Sequence, residues 1–131
     1  MNKHISLELA KQIAEVAKEK GVELPESEKA WYKWRNSQCQ RKEIEVIESI
    51  SPHEGDYDNY DFIVPAYDCQ ELGEILKPYV LEITVANRGW EVVYLIGWVD
   101  GIREIKTEYD KSEVEARGKM LLYLLENDLM K

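Results

Sequence analysis

Histidine and long apolar runs are scarce in this chain and basic residues are outnumbered by acidic ones, and each of these removes a class of function. Lysine and arginine number 17 against 26 aspartates and glutamates, for a formal net charge of −9. That balance opposes direct nucleic-acid binding, because phosphates demand a basic face, and it opposes docking on anionic membranes. No stretch approaches the ~18 consecutive apolar residues of a membrane span. The first residues lack the basic-then-apolar pattern of an export signal, so a cytoplasmic setting is expected.

The two histidines, His4 and His53, sit in no HExxH and beside no cysteine pair, so a zinc site lacks ligands. The two cysteines, Cys39 and Cys69, are far apart and read as free thiols. His53 with either cysteine would supply a base and a nucleophile, which defines a Cys/His hydrolase as one hypothesis. Small core-filling thiols and an exposed loop histidine are the plainer reading. GxSxG, P-loop and GxGxxG patterns are all missing. Loop acids Glu54, Asp56, Asp58 and Asp61 invite a hard cation, but an EF-hand frame starting at Asp56 puts Asp61 where glycine belongs and Tyr67 where the closing glutamate belongs. No catalytic residue, metal ligand or cofactor is therefore assigned.

What the chain does have is strong patterning. Ser112 with Glu115 forms an S-x-x-E capping box ahead of a helix over 112–130. Val114, Leu121, Leu125 and Leu129 fall on one line of it, with Met120 and Leu124 beside them. Gly118 shares that face and predicts a close approach to a sheet, since an interior helical glycine costs roughly 1 kcal/mol relative to alanine. A second helix spans 6–20, with Ser6 as N-cap, Leu9, Ile13, Val16 and Ala17 as its apolar face, and Gly21 as the left-handed stop. Asp68 with Glu71 repeats the capping spacing and opens a short helix over 68–76, ended by Pro78.

Strands are expected at about 30–35, 43–48, 80–86, 90–98 and 102–106. For 43–48 a helix through Ile44, Ile47 and Ile50 is the alternative, since so short a run does not decide the period. Phe62–Val64 reads as a short extended piece, and 51–61 as an exposed, mobile acidic loop. Asn87-Arg88-Gly89 and Asp100-Gly101 are hairpin turns. The run WEVVYLIGWV (90–99) is apolar nearly throughout and predicts a central strand buried on both faces, with Trp90 and Trp98 filling the core. Together these elements predict one α+β domain over 1–131, with a single antiparallel sheet covered by the helices at 6–20 and 112–130.

The order helix, three strands, helix from Asp68 to Met130 resembles the double-stranded-RNA-binding domain. That family has lysines at the start of its last helix, where this chain has Ser112, Glu113 and Glu115, so the function does not carry over. VPAYDCQELGEIL (64–76) and DKSEVEARGKMLLYLLEN (110–127) carry another resemblance. Small uncharacterised phage and prophage proteins share a P-A-x-x-x-x-E-L stretch and a final E-A-R-x-x-x-L-x-x-L-L-E-N helix. The resemblance covers the second half of the chain. It implies a phage or prophage source in a bacterial host cell and no particular reaction.

The expected function is an accessory role through protein–protein interaction, without catalysis. An acidic inhibitor that occupies the nucleic-acid-binding surface of a host protein is the alternative. Trp31, Tyr32 and Trp34 are too closely spaced for one strand face to hide them, and Glu43 and Glu45 flank them on the next strand. This hairpin is the expected binding surface, for self-association or for a basic protein partner.

Overall fold

The computed structural model describes residues 4–34, 44–48 and 60–130, with the backbone alone described at 32–34, 44–48, 60–62 and 81. Glu43, Cys39, His53 and the 51–59 part of the acidic loop lie outside the described residues. The elements are α1 (Leu7–Lys20), β1 (Lys29–Trp34), β2 (Ile44–Glu48), β3 (Tyr60–Pro65), α2 (Cys69–Leu76), β4 (Val80–Ala86), β5 (Gly89–Val99), β6 (Ile102–Asp110) and α3 (Glu113–Glu126).

The α+β class is as expected, but the strands form two antiparallel sheets of three, ordered β2-β1-β3 and β4-β5-β6. The division has a local cause. The extended piece before Pro65 grows into β3 and takes the second edge of β1. Pro65 and the Asp68 cap then turn the chain into α2 before β4 begins. The 44–48 segment is a strand, with Trp31 opposite Val46 and Tyr32 opposite Glu45.

The helices join the two sheets. α1 packs on β3 and on α3, while α3 also packs on α2, β5 and β6. Their common core holds Leu9 and Ile13 from α1, Leu72 and Leu76 from α2, and Met120, Leu121, Leu124 and Leu125 from α3. Val64 of β3 and Val92 of β5 close it from the two sheets. Gly118 is buried here, but its neighbour is a helix and not a sheet. A Cβ on it would lie 2.7 Å from Leu9 Cδ2 and 2.9 Å from Ile5 Cγ2.

The caps depart from expectation in one place. Asp68 and Glu71 form the full capping box, and Gly21 takes its left-handed stop at φ 68°. Ser112 makes no side-chain cap bond, and its backbone N–H donates to Asp110 Oδ1 at 2.9 Å. Glu115 is drawn away to the start of α1, where it accepts from the backbone N–H and the hydroxyl of Ser6. α3 also ends at Glu126, four residues early, because Asp128 adopts a left-handed φ of 56° and folds Met130 back into the core.

Both turns in the second sheet are two-residue connections with positive φ at each position, 47° and 64° at Asn87-Arg88 and 53° and 78° at Asp100-Gly101. This is the twist that antiparallel strands favour. The β5–β6 hairpin runs past the helices that cover its other end. Trp90 and Tyr94 pack on the core, whereas Trp98 is 65% exposed. The expectation that Trp98 is core and that β5 is buried along its whole length therefore fails. A run of apolar letters does not say where the covering helix stops. β6 also continues to Asp110, beyond the expected 102–106.

Candidate functional site

The principal concavity is an open groove of about 620 Å³ between the α1–β1 connector, α2, the Pro78-Tyr79 turn and Met130. Its floor is apolar: Leu24, Pro25, Tyr67, Ile75, Tyr79 and Met130. Its rim is made of carboxylates: Glu23, Glu26 and Glu28 from the connector, Asp68 at the helix cap, and Glu71 and Glu74 on α2. None of the described lining residues is Lys, Arg or His.

Two of those acids hold the groove together. Glu71 accepts from Ser27 Oγ at 2.8 Å, from the Glu28 backbone N–H at 3.0 Å and from the Asp68 backbone N–H at 3.1 Å. One side chain thus caps its own helix and fastens the connector to it. Asp68 accepts from the Glu71 N–H at 2.8 Å and from Lys29 Nζ at 2.8 Å. Burial alone would raise the Asp68 carboxyl, but the Lys29 ammonium and the N–H groups at the start of α2 outweigh it and hold the pKa below its ordinary value.

Tyr67 fixes the floor. Its hydroxyl donates to the Pro25 carbonyl, and burial, with the Glu71 charge added, pushes its pKa up to about 12. Its backbone carbonyl accepts from the Ile5 N–H at 3.0 Å, and His4 bridges to Asp68. Glu23, Glu26, Glu28 and Glu74 are exposed and line the mouth. The arrangement combines an apolar trough with fixed negative charge around it. It suits a ligand with an apolar body and cationic ends.

The expected binding surface is only partly described. β1 is the central strand of its sheet, so Trp31 and Tyr32 have a strand on each side, while Trp34 pairs with Tyr60 of β3. Trp31 is half-buried. Its indole N–H donates to the Ile5 carbonyl at 3.2 Å, and its ring meets the His4 ring edge-on at 5.4 Å. Its polar atom therefore bonds within the chain. In the backbone register Tyr32 stands directly opposite Glu45. For Tyr32, Trp34 and Glu45 the description stops at the backbone, and Glu43 lies outside it.

Sequence reasoning missed the groove, although Glu23, Glu26, Glu28, Glu71 and Glu74 were legible as two acidic clusters flanking Pro25 and Pro78. Nothing in their spacing shows that the two clusters meet.

The Cys69 thiol is half-buried, and burial followed by the Glu113 charge pushes its pKa up to about 11. A thiol so protonated at neutral pH is the opposite of an activated nucleophile. Among the described residues no group of three or more His, Cys, Asp or Glu is placed to hold a metal ion. No helix among them is long and apolar enough to cross a membrane. No family model, curated protein or solved structure matches the chain.

Proposed function

We propose that this chain is a protein-binding module whose acidic groove takes a lysine- or arginine-bearing segment of a partner, anchored by an apolar side chain. One observation carries the reading: an apolar floor enclosed by six carboxylates, of which Asp68 is paired with Lys29 at the rim, with no cation among the described lining residues. Apolar anchors supply affinity, and a charged rim supplies orientation and encounter rate. The net charge of −9 extends the same attraction beyond the groove. The resemblance to phage and prophage proteins supplies the setting, an accessory protein acting in a bacterial cell without catalysis of its own. A host protein's nucleic-acid-binding surface is one partner with the required cations, and in that case the module acts as an inhibitor.

The test titrates labelled protein with a peptide alternating leucine and lysine, and with its leucine–glutamate counterpart. Amide shifts at Ile75, Tyr79 and Met130 with the first peptide alone support the reading. They should vanish in a Glu23→Lys/Glu26→Lys/Glu74→Lys variant. Equal response to both peptides, or no response at those amides, overturns it. Release of a nucleic-acid-binding host protein from DNA or RNA on adding the chain separates the inhibitor from a simple adaptor.

A further inference from the structure

The second sheet ends in an edge that the groove does not use. β6 pairs with β5 on one side and, among the described residues, with nothing on the other. Around that edge Ile96, Trp98, Val99, Ile102 and Ile105 are all exposed, Ile102 by 72%. An apolar edge strand is a template for another strand. Charged residues on an edge ordinarily block such pairing, and Arg103, Glu104 and Lys106 stand in this one. Their order, however, is self-complementary at one register.

Two copies pairing antiparallel about a two-fold axis keep each sheet face continuous, so the opposed residues must both be odd-numbered or both even. Centring the pair on residue 103, 104 or 106 sets Arg103, Glu104 or Lys106 against itself. Centring on Thr107 opposes Glu104 to Asp110. Centring on Ile105 opposes Glu104 to Lys106 twice and Ile105 to Ile105, with Arg103 facing Thr107 and no like charges opposed within β6; the nearest like pair, Asp110 with Asp100, falls at the turn beyond the strand end. Leu95 already faces Ile105 across β5–β6. That register would therefore run an apolar row of Leu95, Ile105, Ile105 and Leu95 across the joined sheets.

We propose that β6 is a homodimer interface, two copies of the chain joining edge to edge through β6 with Ile105 on the two-fold axis. The site is independent of the acidic groove, and neither reading depends on the other.

Sedimentation velocity on the full chain tests it. The wild type should sediment as a dimer at the highest soluble concentration. Glu104→Lys sets lysine against Lys106 twice, and Lys106→Glu sets glutamate against Glu104 twice. Each single change should weaken association roughly tenfold or more. The double variant, which exchanges the two charges, should restore it. Glu104 is exposed, so its variant keeps the fold and carries the test even if Lys106→Glu, which loses the Glu108 ion pair and the Tyr123 ring, does not fold. A monomeric wild type overturns the proposal. So do single variants that remain fully dimeric, and a folded double variant that stays monomeric.

Discussion

The Glu115 carboxylate accepts both the backbone N–H and the hydroxyl of Ser6, a residue 109 positions away. One helix therefore lends its acid to the start of another. The first N–H groups at the start of α1 have no partner inside their own helix, and a carboxylate there satisfies that of Ser6 and complements the positive end of the dipole. Ser6 keeps its own capping bond as well, accepting from the Leu9 N–H at 3.3 Å.

Removing either partner should cost about 1 kcal/mol, the usual worth of a cap. Ser6→Ala loses its hydroxyl bonds on both sides and should cost the most. Glu115→Ala should follow, and the double variant should cost less than the sum, because the two side chains share one network. Ser112→Ala should be close to neutral, since that hydroxyl makes no cap bond. Urea unfolding midpoints measure all four. A Ser112→Ala loss as large as that of Glu115→Ala would mean the 112–115 box forms in solution after all.

Gly118 should tolerate nothing larger. Alanine there drives a methyl into Leu9 and Ile5, whose atoms would stand 2.7 and 2.9 Å away, so α1 and α3 must part or those side chains must turn. Gly118→Ala is expected to destabilise by about 1–3 kcal/mol, and Gly118→Leu by more, as overpacked cores do. Pairing Gly118→Ala with Leu9→Ala should recover part of the loss, because the added methyl enters the space that Leu9 leaves. An unchanged melting temperature for Gly118→Leu would show that the helices do not meet there.

The presence of the three helices, both hairpin turns and the strands expected at about 80–86, 90–98 and 102–106 was readable, though not the ends of β6 and α3, because each is decided by neighbours in sequence: a cap, a period, a pair of turn residues. What was unreadable depends on distant partners. Glu115 looks like the closing acid of its own capping box, and only the arrival of Ser6 shows otherwise. Gly118 announces a close approach without saying whether a strand or a helix makes it. Trp98 sits in a run as apolar as the one around Trp90, yet the helices cover only the second of them. The division into two sheets turns on β3, whose six residues end in a proline and look too polar at Tyr60-Asp61 to complete a sheet. The groove is the extreme case, since its two acidic walls come from segments more than forty positions apart that Glu71 ties together through Ser27.

Acid should loosen that tie through Asp68. Its folded pKa lies below its unfolded value, chiefly because Lys29 and the α2 N–H groups outweigh burial. The carboxylate therefore adds stability above the ordinary aspartate value of about 4, and that stability is lost as pH falls through the lower folded value. Asp68→Asn should be less stable than wild type at neutral pH and show a flatter acid limb in urea midpoint against pH. Lys29→Met should flatten the same limb. Parallel acid limbs for wild type and Asp68→Asn would show that this ion pair, 2.8 Å long, does not couple to folding.

The Cys69 thiol offers a test of nucleophilic chemistry that needs no substrate. In a Cys39→Ser background it is the sole cysteine, since the chain holds two. Burial and the Glu113 carboxylate raise its pKa from 9.0 to about 11, so its thiolate fraction at neutral pH is roughly a hundredfold below that of an unperturbed thiol. Labelling by a chromogenic disulfide should be correspondingly slow at neutral pH and should climb steadily as pH rises towards 11, with no plateau below it. Burial, Glu113 and the weaker Asp68 charge hold the proton on; Glu113→Gln removes the second of these and should speed labelling at a fixed pH. It also cuts the 2.8 Å ion pair to Arg117 and frees that cation to favour the thiolate. Arg117→Met should act in the opposite direction, because the guanidinium is the one nearby charge that lowers the thiol's pKa. Fast labelling at neutral pH with a plateau well below 9 would show an activated thiolate, and the hydrolase reading built on Cys69 would return.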